Sequence, residues 1–184
     1  MKKWIALILA VVMLVAVFAA CGKKDNGSKP GNEPQNEVDP VLNGELAAII
    51  DAIYAIEPTP LPVMTMPVEL TDEFAVSTYT GLTDASAIKE AVFSESMIGA
   101  QGYSIVLVRL NDAADAKTVA NGMLNGVDQR KWICVEADDL RVVAFGDLVL
   151  LVMTDTNLED ISTDAYIEAF GKLCNNPFTA DLRK

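Results

Sequence analysis

Apolar residues recur at two spacings along the chain, and the two spacings separate predicted helices from predicted strands. Four segments repeat apolar residues every three or four positions, as the buried face of a helix does. Their start signals lie at Asp39-Pro40, at 71–73, at Asn111 or Asp112 and near 155–157. The first is predicted to run to about Glu57, and Gly81 closes the second. The pattern therefore predicts four helices.

Four other runs are typical of strands, and they are predicted to pair as two antiparallel hairpins. Residues 88–98 and 103–110 flank a loop at 99–102, whereas 140–145 and 148–153 flank the two-residue turn Gly146-Asp147. The run 103–110 (YSIVLVRL) is almost continuously apolar, which is typical of a strand in the interior of a sheet.

The order of these elements predicts an α+β domain. We expect a mostly antiparallel four-stranded sheet built from the two hairpins (a ββαββα core), with helices on one face and a further helix preceding it. Prolines at 58, 60, 62 and 67 predict an extended arm along the surface of the domain. The predicted globular domain spans 39–176, and 177–184 is predicted to be a tail.

The N-terminal residues have the three-part order of a secretory signal at 1–20. Met1-Lys2-Lys3 is positive, an uncharged run follows to Ala20, and Phe18-Ala19-Ala20-Cys21 resembles the lipobox at which bacterial lipoproteins are cut and lipidated. The prediction is a lipid anchor on Cys21 that holds the protein at the outer face of the cell membrane. The alternative is an uncleaved membrane helix, and both place the domain outside the cytoplasm because the lysines stay inside.

Residues 21–38 contain the lipidated cysteine and a polar linker, with too few apolar residues to support a folded core. The whole chain of 184 residues is acidic, with 26 Asp and Glu against 14 Lys and Arg. This balance argues against a nucleic-acid partner, which requires clustered cations, and against contact of the domain itself with anionic lipid. We therefore expect membrane contact through Cys21 alone.

The chain contains no histidine, which excludes Ser-His and Cys-His nucleophile pairs and most catalytic zinc sites. It also lacks a Gly-x-Ser-x-Gly elbow and a glycine-rich phosphate loop. We expect no enzyme activity, no metal and no cofactor; paired carboxylates are the one acid–base arrangement left. Cys134 and Cys174 either form a disulfide or are two buried thiols.

The best candidate contact is the run Gln129, Arg130, Lys131 and Trp132, which follows a predicted helix. Two cations beside a large aromatic are enriched at interface hot spots and could hold an acidic partner. Alternatively, the cations cap the helix and Trp132 fills the rim of the core. The oxygens at 155–160 similarly suggest either calcium binding or helix capping, and capping is the simpler explanation because the EF-hand glycine and glutamate are absent.

Five features occur in a fixed order along the chain. They are the leader with Cys21, the early helix ending in Ile53-Tyr54, the strand GYSIVLVRLND at 102–112, the segment GVDQRKW at 126–132 and the hairpin RVVAFGDLVLLVMTD at 141–155. As a set they resemble the DUF4358 family of bacterial lipoproteins, common among Gram-positive anaerobes, over roughly residues 42–174. Many members carry a longer segment after the position of Gln129, which this chain lacks. The resemblance implies an extracytoplasmic location and a fold type, but no active site.

Together these features favour a non-catalytic module that binds a protein or another component of the cell envelope. The expected contacts are the edge or open face of the sheet, the proline arm and the region of Trp132. A small-molecule binding domain of a transporter or sensor is the alternative, and an envelope hydrolase with paired carboxylates comes third.

Overall fold

The computed structural model describes residues 38–184. In this range the helices are α1 (Leu46–Ile56), α2 (Glu73–Thr80), α3 (Ala116–Gly126) and α4 (Thr163–Cys174), and the strands are β1 (Val63–Pro67), β2 (Ile88–Ser96), β3 (Tyr103–Leu110), β4 (Asp139–Phe145), β5 (Leu148–Thr154) and β6 (Ala180–Arg183). Short 3-10 turns, Pro40–Asn43 and Ala113–Asp115, precede α1 and α3. No helix of this range is both long and apolar enough to cross a membrane.

The six strands form one antiparallel sheet in the order β1-β2-β3-β5-β4-β6. Both predicted hairpins are confirmed, β2 with β3 and β4 with β5. The second hairpin turns at Gly146, whose φ of 57° suits the first position of a tight hairpin turn. Every residue of the central strands β3 and β5 is buried.

Helices cover both faces of the sheet. On one face, α3 packs over alternate residues such as Val106 and Leu151; on the other, α1 and α4 pack over the intervening ones, such as Leu107 and Leu150. The prediction that the helices lie on one face is therefore wrong. Because β3 and β5 are apolar at successive positions, whose side chains point to opposite faces, each face needs a cover.

Two edge strands enlarge the sheet from the predicted four strands to six. β1 lies within the predicted proline arm and pairs with β2 from Val63↔Ser96 to Pro67↔Val92. β6 lies within the predicted tail 177–184 and pairs with β4, so the sheet extends beyond the predicted domain limit at 176. Both strands are short, and β1 is bounded by prolines, so neither has the alternating run on which a strand prediction depends.

An ion-pair network holds β6 at its edge. The guanidinium of Arg141 on β4 donates hydrogen bonds of 2.8 and 2.7 Å to Asp181 on β6, and one of 2.7 Å to Asp164 in the first turn of α4. Arg183 on β6 binds Asp164 at 3.1 Å and Asp139 at 2.8 Å. Two arginines thus link three aspartates, which joins β4, β6 and α4 at one corner.

The ends of α2 are as predicted. The Asp72 carboxylate accepts hydrogen bonds from the backbone N–H groups of Phe74 and Ala75, and Gly81 ends the helix with a φ of 73°. A Cβ atom at Gly81 would also overlap the backbone of Gly126 and Val127 at the end of α3. Gly81 is therefore required both by its backbone conformation and by the close approach of two helix ends.

The other three helix starts differ from the prediction. The signals at Asp39-Pro40 and Asp112 each start a 3-10 turn, so α1 begins only at Leu46 and α3 only at Ala116. The last helix begins at Thr163 rather than near 155–157. At the predicted start, the carboxylate of Asp155 accepts hydrogen bonds from Asn157 and closes a local turn, a common alternative to helix capping for aspartate.

Candidate functional site

The run Gln129–Trp132 lies in the loop between α3 and β4. The side-chain amide of Gln129 donates a 2.6 Å hydrogen bond to the carbonyl of Ala137, whose own N–H donates to the carbonyl of Gln129 at 2.9 Å. These bonds join the two ends of the loop, so Gln129 serves to close it.

Lys131 points inward from this loop, and its ammonium forms an ion pair with the carboxylate of Glu95 on β2. The Lys131 side chain is 8% exposed and that of Glu95 is 18% exposed. The hydroxyl of Ser104 on β3 donates a 2.9 Å bond to the same carboxylate. The ammonium also lies 4.9 Å from the ring centroid of Tyr79 and 5.3 Å from that of Trp132, within the range of cation–π attraction.

Burial lowers the pKa of Lys131, although Glu95 and Asp128 act in the opposite direction. Ser104 and Lys131 nevertheless lack the geometry of a serine–lysine nucleophile pair. Ser104 is fully buried and already donates to Glu95, and its oxygen lies 3.4 Å from the ammonium. A nucleophile must be reachable by its substrate and free to transfer its proton to a base. The contacts instead describe a buried ion pair that holds the loop on the sheet.

Arg130 points outward, whereas Trp132 stays beside Lys131. Arg130 is 74% exposed and pairs with Glu136 of the same loop at 2.9 Å. Trp132 is half-buried and packs against the core on the α3 side. Arg130 and Trp132 line one shallow depression of the surface, while Lys131 is buried beside Trp132. Both cations have carboxylate partners within the chain. Binding of an acidic partner by this run stays a prediction.

The apolar side chains that remain exposed include a group at the β1 edge. Met64 and Met66 on β1 are 46% and 43% exposed, and Met97, directly after β2, is 67% exposed. The N–H of Met97 donates to the carbonyl of Pro62, which places Met97 beside the start of β1. We call Met64, Met66 and Met97 the methionine surface.

The register places this surface on the α3 side of the sheet. Met64 lies opposite Glu95, and Met66 lies opposite Phe93. Phe93 belongs to the core on the α3 side and stacks on Tyr79 with the ring centroids 3.8 Å apart. The two β1 methionines thus extend a buried apolar layer to the exposed edge, next to the residues that hold Lys131.

A groove of about 400 Å³ beside α2 is lined by two carboxylates, Glu73 and Asp84. Asp84 accepts hydrogen bonds from the hydroxyl and the N–H of Ser86, and these lower its pKa. A general acid near neutral pH requires a raised carboxyl pKa, whereas that of Asp84 is lowered.

The remaining candidates are the two cysteines of the domain and the acidic residues that could bind a metal ion. Cys134 is exposed and Cys174 is buried, and both thiols are free, so neither a disulfide nor two buried thiols describes the pair. Burial raises the pKa of Cys174 to about 12, which leaves the thiol unreactive at neutral pH. Within 38–184, no three His, Cys, Asp or Glu side chains are grouped in a way that could hold a metal ion. Cys21 lies outside the described residues.

The sequence predicts the loop at 129–132 and the proline arm, but not the contacts of Lys131 with Glu95 on β2 and Ser104 on β3. Glu95 and Ser104 reach Lys131 only through the strand register and the loop path, which no short-range pattern encodes. Pro67 did carry a signal for the edge position of β1, since proline within a sheet is confined to edge strands, strand starts and bulges. Comparison of the chain with protein-family models, curated proteins and solved structures finds no match.

Proposed function

We propose that this protein is an extracytoplasmic lipoprotein, anchored to the cell membrane by lipid on Cys21, whose domain binds another envelope protein through the methionine surface. Membership of the DUF4358 family belongs to this proposal and supports the location. The exposure of Met64, Met66 and Met97 together at one sheet edge is the observation that carries the binding function.

Methionine suits such a surface for a physical reason. Its unbranched, polarizable side chain adapts to partners of different shape, and exposed methionines are common at protein-binding surfaces. Grouped apolar side chains on an acidic, soluble domain also cost solubility unless a partner covers them. At this edge Met66 lies opposite Phe93, whose ring stacks on that of Tyr79.

The described residues give less support to the other two functions. The carboxyl groups with shifted pKa values shift downward, as in Asp84, Asp164 and Asp181, which is typical of hydrogen-bonded and ion-paired groups rather than of catalytic acids. The groove beside α2 has polar walls, whereas ligand sites are mostly apolar and bury most of the ligand. Binding through a surface needs neither a catalytic acid nor an enclosed cavity.

In-cell photo-crosslinking tests the proposal. A photoreactive amino acid replaces Met64 in one variant and Glu168, exposed on α4, in a control variant. We expect a discrete protein adduct at position 64 and none at position 168. The same adducts at both positions, or an adduct at 168 alone, would count against the methionine surface.

A further inference from the structure

The hydrogen bonds that flank β1 determine which of its backbone groups point outward. The N–H of Met97 donates to the carbonyl of Pro62 at 2.8 Å, and the N–H of Val68 donates to the carbonyl of Ala91 at 2.9 Å. In an antiparallel pair, opposed residues alternate between pairs that exchange both backbone bonds and pairs that exchange none.

These two bonds fix which of the intervening residues bond to β2 and which point their backbone groups outward. Met64 and Met66 lie an even number of positions from Pro62 and Val68, so they bond to β2. Val63 and Thr65 therefore direct their N–H and C=O groups away from the sheet. Pro67 directs its carbonyl outward and has no N–H to offer.

β1 is the terminal strand of the sheet, and no hydrogen bond from a described residue reaches the outward backbone groups of Val63, Thr65 and Pro67. Two donors and three acceptors along Val63, Thr65 and Pro67 therefore have no hydrogen-bond partner among the described residues. An uncovered strand edge is a template for pairing with another extended chain. Pro62 and Pro67 restrict the accessible length to a few residues, which limits indiscriminate aggregation.

Charge around the edge indicates the chemistry of the incoming segment. The chain has a net charge of −12. Glu69, two residues after β1, is exposed, and hydrogen bonds from Thr71 lower the pKa of its carboxyl group, so it stays ionised. Lys131, which lies beside Glu95 opposite Met64, is neutralised by that carboxylate, while Lys89 on β2 is exposed. Long-range attraction at this edge therefore favours a basic segment and disfavours a second copy of the acidic chain.

We propose that β1 binds an extended, basic segment of a partner protein by strand addition. The segment becomes a seventh strand, bonded to the outward groups of Val63, Thr65 and Pro67. Apolar side chains at alternate positions pack against Met64 and Met66, and Lys or Arg residues lie near Glu69. This proposal rests on the proposed function, because it specifies how the methionine surface and its edge hold a partner.

Amide hydrogen exchange of the full chain in detergent, with and without a short synthetic peptide of alternating valine and lysine, tests the bonding. We expect the amides of Val63 and Thr65 to exchange quickly in the free protein and slowly with the peptide, while those of Met64 and Met66 stay protected throughout. A peptide with glutamate in place of lysine should not bind, and N-methylation at alternate amides should abolish binding. Equal binding of the N-methylated peptide would overturn strand addition.

A matched pair of variants tests the edge from the side of the protein. Thr65→Pro removes an outward N–H that takes no part in pairing with β2, in the same phase as the natural Pro67. Thr65→Val keeps that N–H and removes only the hydroxyl, which bonds to Ser94. We expect Thr65→Pro to weaken peptide binding about tenfold or more and Thr65→Val to leave it within about threefold. The peptide series decides the matter if Thr65→Pro does not fold.

Three outcomes separate this proposal from the proposed function. Undiminished peptide binding by Thr65→Pro overturns strand addition. A discrete adduct at position 64 that persists in Thr65→Pro also overturns it, while the methionine surface stands. Dimerisation of the full chain that Thr65→Pro abolishes identifies a second copy as the occupant and overturns the basic partner.

Discussion

Replacing Lys131 by methionine should lower the free energy of unfolding, because it leaves the buried carboxylate of Glu95 without its counterion. Methionine keeps an unbranched side chain of similar length, so contacts with the rings of Tyr79 and Trp132 are largely retained. The charge of Glu95 then has no cation beside it and retains only the Ser104 hydroxyl as a donor. The destabilisation therefore comes from electrostatics rather than from a cavity.

The burial of the two side chains determines the expected magnitude. Breaking a fully buried ion pair costs roughly 3–5 kcal/mol. Because Glu95 is 18% exposed and keeps one hydrogen bond, we expect the lower end, about 3 kcal/mol. For a domain of this size that corresponds to a fall in Tm of roughly 6–12 °C. The double variant Lys131→Met with Glu95→Gln should lie within about 1 kcal/mol of the parent, because it buries no uncompensated charge.

Urea unfolding followed by circular dichroism measures these free energies, and Trp132 fluorescence reports the loop itself. Arg130→Met is the matched control. It removes the neighbouring cation from a pair that is exposed on both sides, so its cost should stay below about 1 kcal/mol. Two results would refute the reasoning: a loss in Lys131→Met no larger than in the control, or a double variant that recovers no stability.

Three further predictions concern other parts of the chain. Cys21→Ser should move the protein from the detergent phase to the aqueous phase in a phase-partition assay, and unchanged partition would exclude a lipid anchor on this residue. Although burial opposes the shift, hydrogen bonds from Arg141 and Arg183 lower the pKa of Asp164. Its contribution to stability is thus present above the unfolded pKa of about 3.9 and is lost as the pH falls further. Asp164→Asn should therefore show a smaller loss of stability between about pH 5 and pH 2 in acid-unfolding curves, and parallel curves would contradict this. Gly81→Ala should lower the melting temperature more than Gly146→Ala does. Both glycines have positive φ, but a Cβ at Gly81 overlaps backbone while one at Gly146 meets nothing within 4 Å. Equal losses would show that the close approach at Gly81 is unimportant.

The sequence by itself determined the elements whose signals are local. Asp72 and Gly81 mark the ends of α2 by capping chemistry, and the turn at Gly146 joins two apolar runs into a hairpin, so these features could be predicted within a few residues. The α+β class followed from their order. The apolar run of β3 already indicated burial on both faces, although the prediction of helices on one face did not follow that signal through.

Only the tertiary structure decided the edges of the sheet and the role of each residue in the candidate run. β6 is four residues long and depends on arginine–aspartate pairs from β4 and α4, and β1 depends on its register with β2. Lys131 meets Glu95 across a separation in sequence that no periodicity encodes. Local signals come from the backbone preferences of neighbouring residues, whereas partners in ion pairs and sheet edges depend on how distant segments pack. For that reason the cations at 130–131 resembled a binding patch in sequence, while in the structure one of them holds its own loop in place.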